Sequence, residues 1–473
     1  MQFNSLIFIV FCIYFFALWP FLRRNNNTRW IYLVIASFIF YGWWDWRFIF
    51  LIIASGLIDF FAGLAMERFT SRRKLFLILS IIGNIGSLAI FKYLNFGINN
   101  INWLLKSFGV DAHIPATHLI LPVGISFYTF QSMSYTIDIY RGHLKPTKNI
   151  FHFFAYLSLF PQLVAGPIVR AVDLLPQLES YKKVGEKQRW DGLWLIVFGF
   201  FKKVVVADTL AITVNAAFTS STHTVSFCYW WVVMIMFAFQ IYCDFSGYSD
   251  IAIGLGKWMG YDFPVNFRNP YISSSFREFW QRWHISLSTW FRDYVYIPLG
   301  GSKKGKFYNH ATLWITMLVS GLWHGAAWHF ILWGAIHSFY LSMERLTHWP
   351  ERLMKLRAGR HITTLLVFIL TTIAWVFFRA ENMAQVMSIF SSMFNPFAFN
   401  FGAIDELVDP EAINVLLVII GSQIFFYLGM DQSEWSLSDS KSKRTVEQVL
   451  VAFVILTCVY MRAPSNTFIY FQF

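Results

Sequence analysis

The chain has 473 residues, of which 56% are hydrophobic and 14% charged, with a formal net charge of +12. A soluble protein carries about a quarter charged residues, so the composition excludes a soluble enzyme, and recurrent apolar runs of about 20 residues define a polytopic all-α membrane protein. The runs are continuous rather than alternating, which excludes a β-barrel, and the basic excess lies in loops between spans, where it calls for no nucleic-acid partner.

The first run, Leu6 to Leu22, has no basic leader and no small-residue cleavage site, so it reads as a retained span. Arg23, Arg24 and Arg29 follow it. The run from Trp30 to Met66 is long enough for two helices bent near Asp45, and Arg68, Arg72, Arg73 and Lys74 come after. The segment LPVGISFYTFQSMSYTIDIYRG (121–142) holds Ser126, Tyr128, Gln131 and Ser134 within an apolar run. These four read equally well as interhelical hydrogen bonders or as the wall of a polar passage.

Further basic clusters stand at Arg141–Lys145–Lys148, at Lys182, Lys183, Lys187 and Arg189, at Lys303, Lys304 and Lys306, from Arg345 to Arg360, and at Lys441, Lys443 and Arg444. The positive-inside rule puts all of them in the cytosol. Residues 217–226 carry no charge. No Lys or Arg lies between Arg379 and Lys441, whereas Glu381, Asp405, Glu406, Asp409 and Glu411 do. That asymmetry places 381–411 and the N-terminus outside. The expectation is about 11 spans, plus re-entrant or interfacial helices, in one integral membrane domain over 1–473. Cys12, Cys228, Cys243 and Cys458 are scattered without metal or redox spacing and read as buried small hydrophobes.

Residues 239–301 do not read as spans, because polar and charged residues interrupt them throughout. Asp244, Ser246, Tyr248 and Asp250 follow the apolar run ending at Phe239, and they fit a cap-and-turn network at a helix end. The alternative is a pair of carboxylates that bind a cation or orient a histidine. The D-F-S-G-Y-S-D spacing is not a calcium loop. Ser275 to Arg292 is amphipathic at helical spacing, with Phe276, Phe279, Trp280, Trp283, Leu287 and Trp290 on one face. Taken alone this is an interfacial helix with an aromatic belt; the alternative is the wall of a water-filled cavity, where irregular backbone is allowed. His284 lies on this stretch.

From Ala311 to Met343 there is no Lys, Arg, Asp or Glu, yet His324, His329 and His337 are present. A histidine at membrane depth costs free energy unless it has a partner or a cavity, so such residues are site candidates. Basic loops flank the stretch on both sides, so it enters and leaves from the cytosol. At 1.5 Å per residue it makes roughly 50 Å of helix, which suits a tight hairpin bent near His324 to Trp328 and eased by Gly321 and Gly325.

The sequences DFSGYSDIAIGLG, FREFWQRWHISLSTWFRDYVYIPLGG and SGLWHGAAWHFILWGAIH together resemble the membrane-bound O-acyltransferase family, and within it the bacterial alginate O-acetyltransferase branch. LPVGISFYTFQSMSYTIDIYRG and FPQLVAGPIVR fit the same branch, and the D-alanyl transferases of teichoic acid modification share the family. The resemblance implies about 11 helices around a central tunnel, a catalytic region near 239–345, the family's histidine at His324 and its second polar position at His284. It implies acetyl-CoA as the acyl donor with no permanently bound cofactor and no metal. It also implies a bacterial inner-membrane location and a periplasmic acetyl-acceptor protein that completes transfer to a polysaccharide.

The residue chemistry agrees. Acyl transfer from a thioester to a hydroxyl needs a base, for which His324 is placed, and a group to hold the oxyanion. His284 is then free to orient the thioester, stabilise the oxyanion or shuttle the proton. No G-x-S-x-G elbow accompanies them, so a serine acyl-enzyme has no support. Trp323, Asp244, Tyr248, Trp280, Arg282 and Trp328 are the residues expected around the substrate. Arg277, Arg282, Lys303, Lys304 and Lys306 are placed to contact donor phosphates, although positive-inside charge explains them as well. A flippase of lipid-linked sugars would also be polytopic and basic, but it would more typically show internal repeats, and none is seen. A structural scaffold would need no buried histidines.

Overall fold

A computed structural model describes residues 1–219, 226–428, 441–464, 466, 468 and 469, and it is helical throughout, with no strand among the described residues. Five stretches are long and apolar enough to cross a membrane: 26–68, 70–107, 227–259, 359–379 and 410–427. Most of the uncharged loop at 217–226 lies outside the described residues, as do the side chains of Lys306, Lys441 and Lys443. The chain packs as two compact units, one of residues 1–185 with 255–264 and the other of 186–254 with 265–473.

In the first unit the helix Leu6–Leu22 coincides with the first apolar run. The Trp30-to-Met66 run folds as Asn26–Asp45 and Ile49–Arg68, joined by a short 3-10 turn at Trp46–Phe48. Asp45 makes the bend, accepting from the Arg47 backbone amide at 3.0 Å. Arg29, expected in a cytosolic loop with the other arginines, is fully buried. Its guanidinium donates to the carbonyls of Arg23 and Leu178 at 2.8 and 2.6 Å, because a buried charge is tolerable only when hydrogen-bonded. Asp59 is likewise buried, accepting from Ser80 at 2.5 Å, from Asn84 at 2.7 Å and from Ser132. In the 121–142 segment the helix Ile125–Arg141 buries nearly every side chain, and Tyr156 donates to the Gln131 carbonyl at 2.8 Å.

The second unit corrects two readings. The helix Phe227–Met259 runs unbroken for 33 residues, so Asp244 and Asp250 lie on a helix interior and not in a cap-and-turn cluster. The two carboxylates are tolerable there because each is ion-paired: Asp250 meets Lys202 at 2.7 Å and Asp244 meets Lys203 at 2.8 Å. Both lysines sit on a π-helical turn, Phe201–Ala207, that continues the helix Glu186–Phe200. The two rods approach closely through glycine. A Cβ on Gly247 would fall 2.7 Å from the Gly199 carbonyl oxygen, and one on Gly254 would fall 2.5 Å from that of Gly192. Small residues at such crossings are how membrane helices bring their backbones together.

The second correction concerns Ser275 to Arg292. Helical spacing runs through it, but the helix breaks into Phe276–Arg282 and Ile285–Phe291 at Trp283 and His284. His284 takes φ 43° and ψ 55°, in the left-handed region. The aromatic face is no interfacial belt either: Phe276, Phe279, Trp283, Leu287 and Trp290 are all buried in the unit's core.

The hairpin is as expected. Lys306–His324 ends at His324 and Trp328–Thr347 begins after three intervening residues. The glycines act by absence of a side chain more than by easing the bend. A Cβ on Gly321 would fall 2.3 Å from the Phe330 carbonyl oxygen, one on Gly334 would fall 2.3 Å from that of Met317, and one on Gly325 would strike the Phe330 ring.

Candidate active site

The break at His284 and the end of the helix at His324 bring both histidines against one indole, that of Trp323. Trp323 has its ring centroid 5.0 Å from His324 and 6.4 Å from His284. His324 is 4% exposed and stands edge-on to Trp333 at 5.0 Å and to Phe378 at 5.2 Å. His284 is fully buried, with Phe245 perpendicular to it at 4.6 Å.

Asn266 holds His284 in place, and the sequence reading did not single it out. Its Oδ1 accepts from the Ser286 backbone amide at 3.2 Å and from the Ser286 hydroxyl at 2.9 Å, and lies 3.1 Å from His284 Nδ1. A backbone amide can only donate, so the amide orientation of Asn266 is fixed and His284 Nδ1 must be the protonated nitrogen. Nε2 then bears the lone pair, the second-partner logic by which imidazole tautomers are set. Asn266 Nδ2 donates in turn to Ser249 Oγ at 3.1 Å, and its backbone carbonyl accepts from Ile285 at 2.9 Å. The available clue in the sequence is the pair of amides, Asn266 and Asn269, between Pro264 and Pro270, where the prolines already point to irregular backbone.

The other expected site residues sort by position. Trp280 joins the aromatic wall, 5.8 Å from Trp333 and 5.1 Å from His337. Asp244 and Tyr248 lie on the same helix as Phe245, the ring that meets His284. Asp244 is committed to Lys203 and to the Ile469 backbone amide at 2.8 Å, and Tyr248 packs on Phe468 at 5.2 Å. Arg282 is half-buried, pairing with Glu278 at 2.9 Å and donating to the Arg268 carbonyl at 3.0 Å. Trp328 is 56% exposed on the first turn of its helix, unlike buried Trp323. The remaining histidines part company. His329 anchors its helix to the Phe377 carbonyl at 2.9 Å, whereas His337 is enclosed by Phe279, Trp280 and Trp333.

Two further groups were not anticipated. Lys203 bridges Asp208 and Asp244, both at 2.8 Å. Glu344 reaches the start of the Phe276–Arg282 helix and accepts from the amides of Phe276 and Arg277 at 2.6 and 3.3 Å, as a carboxylate at a helix N-terminus does. Lysines in an apolar run and carboxylates in another were the available signals; the pairing between them was not in either run alone.

The site thus holds two buried imidazoles, one of fixed tautomer, within an aromatic enclosure. Residues 143–386 match the model of the membrane-bound O-acyltransferase family, and the chain belongs to that family. It is an O-acyltransferase. It is 40% identical over 401 residues to the probable alginate O-acetylase AlgI of Pseudomonas putida, covering 84% of this chain and 80% of the relative. It is 35% identical over 391 residues to a peptidoglycan O-acetyltransferase of Helicobacter pylori, covering 77% and 73%. To a teichoic acid D-alanyltransferase of Bacillus subtilis it is 28% identical over 275 residues, covering 55% and 68%.

Proposed function

We infer that this enzyme takes an acetyl group from acetyl-CoA in the cytosol and passes it across the bacterial inner membrane for O-acetylation of an alginate-like exopolysaccharide. A periplasmic protein completes the transfer. In this reading about 11 spans surround a passage, and the hairpin carrying His324 has both ends in the cytosol. His324 takes the proton of the acceptor hydroxyl as its oxygen attacks the thioester carbonyl carbon; the C–S bond breaks, and His324 returns the proton to the leaving sulfur, which departs as the thiol. His284, its Nδ1 turned to Asn266, offers Nε2 to the reacting centre and orients the thioester. Trp323, Trp333 and Phe378 keep water out, which strengthens each polar interaction inside.

The observation that supports this best is the meeting of His284 and His324 at Trp323, in a chain 40% and 39% identical to proteins of Pseudomonas putida and Pseudomonas aeruginosa named probable alginate O-acetylases. The name of the Helicobacter pylori relative supports a second reading, peptidoglycan as the final acceptor. The test is reconstitution in sealed vesicles with labelled acetyl-CoA inside and acceptor protein outside. Label should reach the outer acceptor with wild type and not with His324→Ala. Label confined to an acceptor on the inner face would reject the transmembrane route. No acetyl-CoA consumption with either acceptor would reject the donor.

A further inference from the structure

Away from the histidines, the helices Phe227–Met259, Gly359–Arg379 and Pro410–Tyr427 border an open-sided groove of about 340 Å³. Its walls are apolar, with Phe239, Phe368, Ile420 and Ile424 among them. One end is different. Tyr427 hydroxyl and His361 Nδ1 lie 2.8 Å apart there, and the Arg360 guanidinium stands over the Tyr427 ring at 4.8 Å. This end coincides with the first turn of the Gly359–Arg379 helix, whose amides favour negative charge. One turn further in, Thr364 and Gln423 line the same groove, and Thr364 Oγ1 and Gln423 Oε1 are buried without a hydrogen-bond partner among the described residues. Gln423 is 8% exposed.

We propose that this groove binds an anionic glycerophospholipid. An acyl chain lies along Phe239, Phe368, Ile420 and Ile424, and the phosphate sits against Arg360 and His361. Two observations select this occupant over bulk hydrocarbon. The cationic and helix-terminal end demands an anion, in the manner of basic pockets between transmembrane helices that take anionic headgroups. The buried polar atoms of Thr364 and Gln423, one turn further in, fall at the depth of the ester linkages, where the Thr364 hydroxyl can donate to an ester carbonyl that bulk hydrocarbon lacks. The inner wall of the groove is Tyr271, whose hydroxyl is 3.1 Å from Trp375 Nε1 and whose ring is 6.0 Å from Trp283, the neighbour of His284.

The test is thermal unfolding of delipidated protein in a neutral detergent, titrated with dioleoyl phosphatidylglycerol, with dioleoyl phosphatidylcholine or with soluble glycerol 1-phosphate. Phosphatidylglycerol should raise the midpoint by several degrees, and the other two should not. The rise should vanish in the double variant Arg360→Gln/His361→Gln and in Ile420→Trp, which fills the groove, and persist in Lys355→Gln. Should Ile420→Trp fail to fold, the double variant decides alone. An equal rise with phosphatidylcholine would reduce the groove to a generic lipid contact. A rise with glycerol 1-phosphate would assign a soluble anion instead. Persistence in the double variant, or loss in Lys355→Gln, would place the site elsewhere.

Discussion

Asn266 and His284 are 18 residues apart in the chain and meet at 3.1 Å, and that contact decides which imidazole nitrogen carries the proton. The same Asn266 oxygen serves Ser286 twice, so one side chain sets both the tautomer of the histidine and the start of the helix that follows it.

Replacing Asn266 with Leu should therefore damage turnover beyond its effect on folding. It strands the donors of His284 and Ser286, at about 1–3 kcal/mol for each buried group left unmet. It also frees the ring of His284 to take the other tautomer. Acetyl-CoA consumption should fall at least about tenfold, the lower range for loss of an imidazole's orienting partner. Asn266→Asp, which keeps the accepting oxygen, should retain more activity than Asn266→Leu. Equal rates in the two variants would show that the contact is structural only.

His324→Ala should cost about 10²–10⁴-fold in acyl transfer, the usual range for losing a general base, while the protein still elutes as a folded species. His329→Ala should be far milder, since His329 is engaged with the Phe377 carbonyl. Comparison of the purified variants at matched unfolding midpoints separates chemistry from stability. If His329→Ala were the more damaging of the two, the base has been misassigned.

Lys203→Met leaves Asp208 and Asp244 buried without their cation. Breaking a buried ion pair in this way costs about 3–5 kcal/mol, and thermal unfolding in detergent should show a large drop. The triple variant Lys203→Met/Asp208→Asn/Asp244→Asn should recover much of the loss, because it removes the stranded charges too. Failure of the triple variant to regain stability would mean that the lysine acts through packing.

Gly334→Ala places a methyl group 2.3 Å from the Met317 carbonyl oxygen. Backbone cannot yield as a side chain can, so the hairpin must open, at about 1–3 kcal/mol for overpacking. The same substitution at Gly421, where a Cβ would meet nothing within 4 Å, is the control and should be silent. A midpoint unchanged in Gly334→Ala would show that the two helices have slack between them.

A cysteine introduced beside Asp405 should react with an impermeant maleimide in intact cells, and one beside Lys355 only after permeabilisation. The opposite pattern would invert the membrane orientation read from the basic residues.

Much of this architecture can be read from the chain. Absence of charge from Ala311 to Met343 located the hairpin, and the histidine, flanked by tryptophan and glycine, marked its turn. The bend at Asp45 and the first helix also follow from apolar run length alone. What escapes such reading is pairing over distance. Lys202 and Lys203 lie 48 and 41 residues from their partners Asp250 and Asp244. Each, taken singly, looks like an interruption of a span. The break at His284 escapes for a different reason: helical periodicity describes which face a side chain occupies and continues unaltered across a residue that reverses its φ.

That reversal sets two demands against each other at one position. A side chain in the left-handed region costs on the order of 1–2 kcal/mol relative to ordinary helix backbone, and glycine alone escapes the charge. His284→Gly should thus unfold at a higher temperature than His284→Ala, despite leaving the larger void, and both should be inactive. Position 284 is thus one where the backbone alone favours glycine, and the imidazole there is held against that preference by its contacts to Asn266 and Phe245.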